Sequence, residues 1–321
     1  MQVALIGAGY WGKNILRNLK ELGFLHCVYD SSPERVLELK VQHHDLTFCE
    51  SMEQIFEDPS IKAVCIATPA STHYSVVKSA LLAGKDVFVE KPLALSTKEA
   101  EELIEISEKY GRILMVGHIL RYHPAISKLK ELIDNGVLGK INYVYSNRLN
   151  IGKLRNEENI LWSFAPHDIS VILHLVGEEP MKVEAFGGDY VQQGIYDVTV
   201  THLEFPKGIK GHVFVSWLHP FKEQKLVVVG SANMAVFDDL SDEKLFLYPH
   251  RIKFENSVPV AEKAERVVVP VERAEPLKEE LKHFLNCCET RERPKTDGYE
   301  GLRVLKVLEK AQESLNLKRR A

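Results

Sequence analysis

A short apolar run, Gln2–Ile6, ends in Gly7-x-Gly9-x-x-Gly12, and helical spacing of Ile15, Leu16, Leu19 and Leu22 begins directly behind it. This junction constrains the fold more than any other feature of the chain. Gly7 permits a tight turn, Gly9 lets backbone approach a pyrophosphate, and Gly12 lets helix and strand pack closely. The helix N-terminus behind them supplies unpaired amides and the positive end of a dipole. The unit then repeats. Leu25–Tyr29 predicts a second strand ending at Asp30, and Pro33 opens a helix to about His43. Ala63–Ala67 reads as a buried strand with a helix behind it, Val76–Leu82, that stops at Gly84. Asp86–Val89 is a further strand, followed by Lys91-Pro92 and a helical Thr97–Tyr110, and Ile113–Val116 closes the series. Strand–helix units repeated in this way require parallel strands with helices on both faces, a doubly wound Rossmann sheet in an α/β chain.

The texture changes after Gly117. A helix over Ala125–Asn135 precedes a strand over Lys140–Arg148, and a helix over His167–Leu175 opens after Pro166 and stops at Gly177. Residues 181–250 are then mostly β, with turn signals at Pro206-Lys207-Gly208 and Gly230-Ser231-Ala232-Asn233, which predicts an open, mostly antiparallel sheet. Helices over Glu275–Cys288 and Gly298–Ser314 complete the chain. The expected organisation is a dinucleotide-binding Rossmann domain over 1–118. An α+β domain for substrate binding and oligomerisation follows over 119–321, with the last helix available to pack back on the first domain. A length of 321 residues suits two domains.

Composition closes off other classes. A formal charge of −4 offers no basic field for nucleic acid or an anionic membrane. No apolar stretch approaches the ~18 residues of a membrane span. The chain begins with a strand-like run in place of a basic leader, which predicts a cytoplasmic protein. Cys27, Cys49, Cys65, Cys287 and Cys288 contain no C-x-x-C pair and read as reduced thiols. His43-His44 has no partners at ligand spacing, so no metal is expected.

Several residues carry candidate chemistry. Asp30 stands about 18 residues beyond Gly12, where a carboxylate accepts from the ribose 2′ and 3′ hydroxyls and repels a 2′-phosphate; this favours NAD over NADP. Glu90-Lys91-Pro92 follows a predicted strand at the carboxyl edge, where doubly wound sheets bind ligands. Arg148, Asn150, Lys153 and Arg155 read either as a clamp for a substrate pyrophosphate or as a solvated basic loop. Arg121 and Tyr122 follow the last strand of the first domain and are candidates for substrate contact.

Gly7–Gly12, Asp30, Ala67-Thr68-Pro69 with His73, Glu90-Lys91-Pro92 and Ala165-Pro166-His167-Asp168 occur in the order of the Gfo/Idh/MocA family of sugar and cyclitol oxidoreductases, which the chain resembles over nearly its whole length. Gly117-His118, Tyr122-His123-Pro124-Ala125, Leu161-Trp162 and Ser216-Trp217-Leu218 resemble the branch that contains the nucleotide-sugar 3-dehydrogenases, the UDP-N-acetylglucosamine enzymes among them. The resemblance implies oxidation of a sugar hydroxyl by hydride transfer to NAD, in a homodimer or homotetramer built on the open sheet. It implies that Tyr10 and Trp11, inside the glycine turn, lie beside the cofactor with Ala67, Thr68, Pro69, His73 and Glu90. It makes Lys91 an active-site lysine and His167 the catalytic histidine, an imidazole matched to a proton step at neutral pH. Where many relatives carry an aspartate four residues before this histidine, the chain has Ser163, which cannot stabilise an imidazolium by charge and reads instead as a candidate substrate contact, as does Asp168. Asp168 is an uncertain substitute, since its neighbour on a helix points roughly 100° away; it reads equally as a carboxylate at a helix N-terminus. Alternatives are a dehydrogenase of a free sugar or inositol, and a non-catalytic NAD-binding regulator on the same fold.

Overall fold

The computed structural model describes residues 1–152, 154–155 and 158–319. The chain divides into two compact units, one of Met1–Ile119 with Glu275–Leu305, the other of Leu120–Ala274 with the chain from Lys306 on. The first unit opens with β1 (Gln2–Ile6), α1 (Gly12–Glu21), β2 (Leu25–Tyr29), α2 (Pro33–Gln42), β3 (Thr47–Phe48) and α3 (Met52–Glu57). It continues with β4 (Ile61–Ile66), α4 (Ala70–Leu82), β5 (Asp86–Glu90), α5 (Thr97–Lys109) and β6 (Leu114–Gly117). The strands lie in the order β3-β2-β1-β4-β5-β6 and every pairing is parallel. Val3–Ile6, Val64–Ile66 and Val87–Val89 are fully buried, the near-continuous apolar runs that a sheet covered on both faces demands. The order reverses between β1 and β4, which places a ligand crevice at the carboxyl ends of those two strands.

Elements β3 and α3 escape prediction because two and six residues are too short to show a period. The one local mark of α3 is Ser51, whose hydroxyl accepts from the Gln54 amide. Helix α4 begins at Ala70, well before Val76, because its first turn is polar and small and carries no apolar spacing.

The second unit contains α6 (Pro124–Asp134), β7 (Ile141–Ile151), α7 (Ile160–Val176), β8 (Lys182–Gly188), β9 (Val198–Glu204) and β10 (Lys210–Ser216). After these come β11 (Leu218–Gly230), β12 (Met234–Asp238), β13 (Leu245–Tyr248), β14 (Arg251–Glu255), β15 (Val258–Glu262) and β16 (Val267–Val268). Eight strands form one sheet in the order β16-β13-β12-β11-β7-β10-β9-β8. Only the central β7–β10 pair is parallel, so the expected open, largely antiparallel sheet is present. Strands β14 and β15 form a separate exposed hairpin. Helix α7 lies on β7, β9 and β10.

The histidine helix departs from expectation. It starts at Ile160, not at His167, with Asn159 accepting from the Trp162 amide as its cap, and Pro166 sits inside it. Proline removes one rung of the helix. Burial of Ile160, Leu161, Ala165, Ile169 and Ile172 at 0% exposure outweighs that loss. Asp168 is therefore mid-helix and is no dipole-stabilised N-terminal carboxylate.

Helix α8 (Pro276–Thr290) and the start of α9 (Gly298–Arg319) belong to the first unit, so the second is not a continuous 119–321 segment. Phe284 meets Phe88 with ring centroids 5.8 Å apart, and Glu275 accepts from Asn18 and Arg17 on α1. The later part of α9 serves the second unit, where Gln312 accepts from Asn159 at 2.8 Å and from the Trp162 indole at 3.1 Å. Among the described residues, no helix is long and apolar enough to cross a membrane.

Candidate active site

The glycine turn is a cradle in the steric sense. A Cβ on Gly7, whose φ is +90°, would stand 2.8 Å from the Ala67 carbonyl carbon, and a Cβ on Gly12 would collide with the Gly7 carbonyl. The ends of β1 and β4 thus meet backbone to backbone, leaving Gly9 half-exposed above them. No side chain caps α1; the Lys13 amide donates to the Gly9 carbonyl at 3.1 Å and the Asn14 amide to the Trp11 carbonyl at 2.9 Å, which leaves the amides of the glycine turn ahead of them at the helix N-terminus. Asp30 is oriented by the same turn: Oδ2 accepts from the Ala8 amide at 2.8 Å and Oδ1 from the Ser32 amide at 2.9 Å. A pyrophosphate over the amides with a ribose at the carboxylate fits this arrangement.

Arg35, on α2, also reaches the glycine turn. Ser32 caps α2 and accepts from the Arg35 amide, which turns the arginine back toward the glycines. Its Nε is 4.0 Å from Asp30 Oδ2, and an Nη lies 2.8 Å from where a Cβ on Gly9 would sit. A cation therefore borders both the turn and the Asp30 carboxylate. Tyr10 is 90% exposed at the tip of the turn.

Lys91 is half-buried just past the carboxyl end of β5, and its bond to Pro92 is cis. The segment is held from below by His73, 1% exposed, whose ring nitrogens lie 2.7 Å from the Pro92 carbonyl and 2.9 Å from the Thr68 carbonyl. The Ala67-Thr68-Pro69 turn and the Glu90-Lys91-Pro92 segment are one braced structure for that reason. Glu90 joins them to the glycine turn: it accepts from the Trp11 indole and from the Lys91 amide. Gly117 is its register partner on β6, and a Cβ there would press on the Glu90 carboxyl at 3.1 Å.

Burial pushes the Glu90 carboxyl up to about 7, with Lys91 and the Trp11 indole pulling the other way. Glu280 on α8 is fully buried, and neither carboxyl oxygen has a hydrogen-bond partner among the described residues. Burial, and then the negative charge of Glu90, hold Glu280 well above the carboxylate range. The Glu90 shift has a sign that can be tested. Between its unfolded value of 4.5 and about 7 the folded chain binds the extra proton, so that contribution to stability is present below 4.5 and disappears as pH rises through 7. Denaturant unfolding across pH 5–8 should show wild-type stability falling by about 3 kcal/mol relative to Glu90→Gln. Parallel curves for the two proteins would refute the assignment.

In the second unit, Ser163 and His167 are one turn apart on the same face of α7. Ser163 is 2% exposed, and His167 is half-buried with Nδ1 shut off from solvent. Asp168 faces the sheet. It accepts from Ser146 and takes Arg148 in a bidentate pair, Nε–Oδ2 2.7 Å and Nη2–Oδ1 3.2 Å. Both side chains are nearly enclosed, at 11% and 4% exposure. The Arg148 fork is thereby committed to its own chain and is not presented in an open loop. Gln224 extends the network in the amide orientation that satisfies both neighbours, accepting from Arg148 and donating to Asp239 at 3.1 Å. Arg155 is exposed and paired with Glu158 at 2.6 Å. Asn150 folds over Gly152, and its Oδ1 has no hydrogen-bond partner among the described residues. Arg121 is half-buried and Tyr122 buried in a single 3₁₀ turn, Ile119–Tyr122. Lys153 lies outside the described residues.

A glycine cradle at the switch point of a doubly wound sheet, with a carboxylate and a lysine at the same edge, defines the class of nicotinamide-dinucleotide oxidoreductases. A model of the Gfo/Idh/MocA oxidoreductase family, NAD-binding Rossmann fold, matches residues 1–118, and one of the Gfo/Idh/MocA C-terminal domain matches residues 126–236. The chain belongs to this family. It is 28% identical to a UDP-N-acetylglucosamine 3-dehydrogenase of Acidithiobacillus ferrooxidans over 95% of this chain and 94% of that protein. It is 30% identical to a scyllo-inositol 2-dehydrogenase (NAD(+)) of Bacillus subtilis over 69% of this chain and 68% of the other. The solved structure of the Acidithiobacillus ferrooxidans enzyme superposes with a TM-score of 0.86 at 25% identity, covering 99% of this chain and 98% of that one.

Proposed function

We propose that this protein is an NAD-dependent dehydrogenase that oxidises a secondary hydroxyl of a sugar, at C3 of a UDP-sugar such as UDP-N-acetylglucosamine, with Lys91 and His167 as its catalytic residues. The observation that carries the reading is Lys91 braced at the carboxyl end of β5, on the sheet edge that also holds the glycine cradle and Asp30. The bound dinucleotide supplies the hydride acceptor. The Lys91 ammonium donates to the substrate oxygen and stabilises negative charge developing on it. His167, with Nδ1 enclosed, takes the hydroxyl proton through its other ring nitrogen. Ser163 brings no charge to the imidazolium so formed. Arg121, Tyr122, Asn150 and Arg155 are assigned to the substrate side. Self-association as a homodimer or homotetramer is assigned to the open sheet face, where Tyr145, Val227 and Val236 stand in register and half-buried.

The preference for NAD rests on Asp30. Asp30→Ser should lower kcat/KM with NAD by roughly tenfold to a hundredfold, the loss of two charge-assisted hydrogen bonds to a ribose. It should raise activity with NADP, because Arg35 then meets a 2′-phosphate without an opposing carboxylate. Steady-state kinetics with both dinucleotides measure this, and an unchanged preference would overturn it.

UDP-N-acetylglucosamine draws support from the relative that matches almost end to end. A second reading, oxidation of an inositol or free sugar, is favoured by the Arg148–Asp168 and Arg155–Glu158 pairs, which occupy the two arginines a pyrophosphate would need. Incubation with NAD and a panel of UDP-sugars, free sugars and inositols, followed at the NADH absorbance, separates the readings. Turnover restricted to inositols or free sugars selects the second, and no NADH with any member defeats both.

A further inference from the structure

Cys27 and Cys49 are far apart in sequence but share an edge of the Rossmann sheet. Cys27 pairs with Thr47 in the parallel register of β2 and β3, and the Cys49 amide donates to the Val28 carbonyl at 2.9 Å, continuing that ladder. Since side chains alternate along a strand, Cys49 lies on the same sheet face as Thr47 and its partner Cys27. Their sulfurs are 2.9 Å apart, closer than unbonded sulfurs normally stand and a short step from the ~2.05 Å of a disulfide. Cys27 is 1% exposed while Cys49 is half-buried, so Cys49 is the outer residue of the pair. Cys65, Cys287 and Cys288 are all buried.

We propose that Cys27 and Cys49 form a site of reversible thiol oxidation, closed to a disulfide by a peroxide and reopened by a dithiol. Attack begins at Cys49. Its thiolate displaces hydroxide from hydrogen peroxide, the O–O bond breaks, and a sulfenic acid is left. The Cys27 sulfur then attacks the Cys49 sulfur and the S–O bond breaks. The leaving hydroxide carries off the Cys27 proton as water, so two thiols and one peroxide become one disulfide and two waters. Burial pushes the Cys27 thiol up, so it keeps its proton and does not compete with Cys49 for the peroxide. The bond would clamp β2 to β3 a few residues from Asp30 and enclose α2 in a covalent loop. Neither step depends on the substrate assigned above.

The test uses the full chain. Protein treated with a small excess of hydrogen peroxide is denatured, alkylated and weighed, and its peptides are mapped without reduction. Five alkylated cysteines in untreated protein should become three, with the Cys27 and Cys49 peptides linked, and dithiothreitol should restore five. The oxidised protein should unfold several degrees higher, as closure of a loop of this length predicts. Cys49→Ser should keep all its thiols and show no shift, and Cys27→Ser should stop at a trapped sulfenic acid on Cys49. Five free thiols after treatment, overoxidation of Cys49 without a link, or a link to any other cysteine would overturn the proposal; the mapping of wild type decides this even if a variant fails to fold.

Discussion

Lys91→Met is expected to lower turnover about a thousandfold while leaving NAD affinity within a fewfold of wild type. Methionine keeps much of the stem and removes only the ammonium, so the segment braced by His73 against Thr68 and Pro92 retains its shape. The loss should fall on kcat and kcat/KM alike, since the donated hydrogen bond strengthens as charge develops on the oxygen. His167→Asn should cost a similar factor. If the two side chains act on one hydroxyl, the double variant should be scarcely worse than either single one, because groups that act as a unit are strongly non-additive. Additive losses would mean that lysine and histidine do not share a reacting centre. Dinucleotide titration by fluorescence and single-turnover kinetics make the measurement, and turnover within tenfold of wild type for Lys91→Met would end the dehydrogenase assignment of that residue.

The second large effect is structural. Asp168→Ala should destabilise the protein by about 3–5 kcal/mol, because it strands the Arg148 guanidinium in a nearly closed site. The same change leaves the Ser146 hydroxyl without its carboxylate. Replacing both partners at once, Arg148→Met with Asp168→Leu, should recover much of that loss, since the cost comes from an unpaired buried charge and the pair itself contributes little net stability. Urea unfolding of the three proteins gives the cycle. A loss below about 1 kcal/mol for Asp168→Ala would show that solvent reaches Arg148 and relieves it.

This pair also marks how far a linear reading reaches. Arg148 and Asp168 are on β7 and α7, and nothing in their spacing says that they face each other. The expectation of a basic loop before the histidine helix assumed that residues close in sequence share an environment, whereas β7 runs through Ile151 and turns the Arg148 side chain inward. Helix α7 was misjudged at its start for a related reason: Pro166 looks like an opening signal locally, but a buried apolar face extends the helix two turns upstream. Arg35 shows the reverse, a residue well along the chain from the glycine turn that packing brings back beside it.

The alternation of strands and helices, the glycine turn, Asp30 at the end of β2 and Lys91 beyond β5 were legible without coordinates, because each follows from periodicity or from backbone demands that act within a few residues. Tertiary structure alone decided the pairings: Glu90 lifted by burial beside Trp11 and Gly117, Glu280 shut in without a hydrogen-bond partner among the described residues, Asp168 spent on Arg148, and two sulfurs brought together by β3. Those properties arise from desolvation and from contacts between distant segments, and local sequence carries no record of either until packing closes around it.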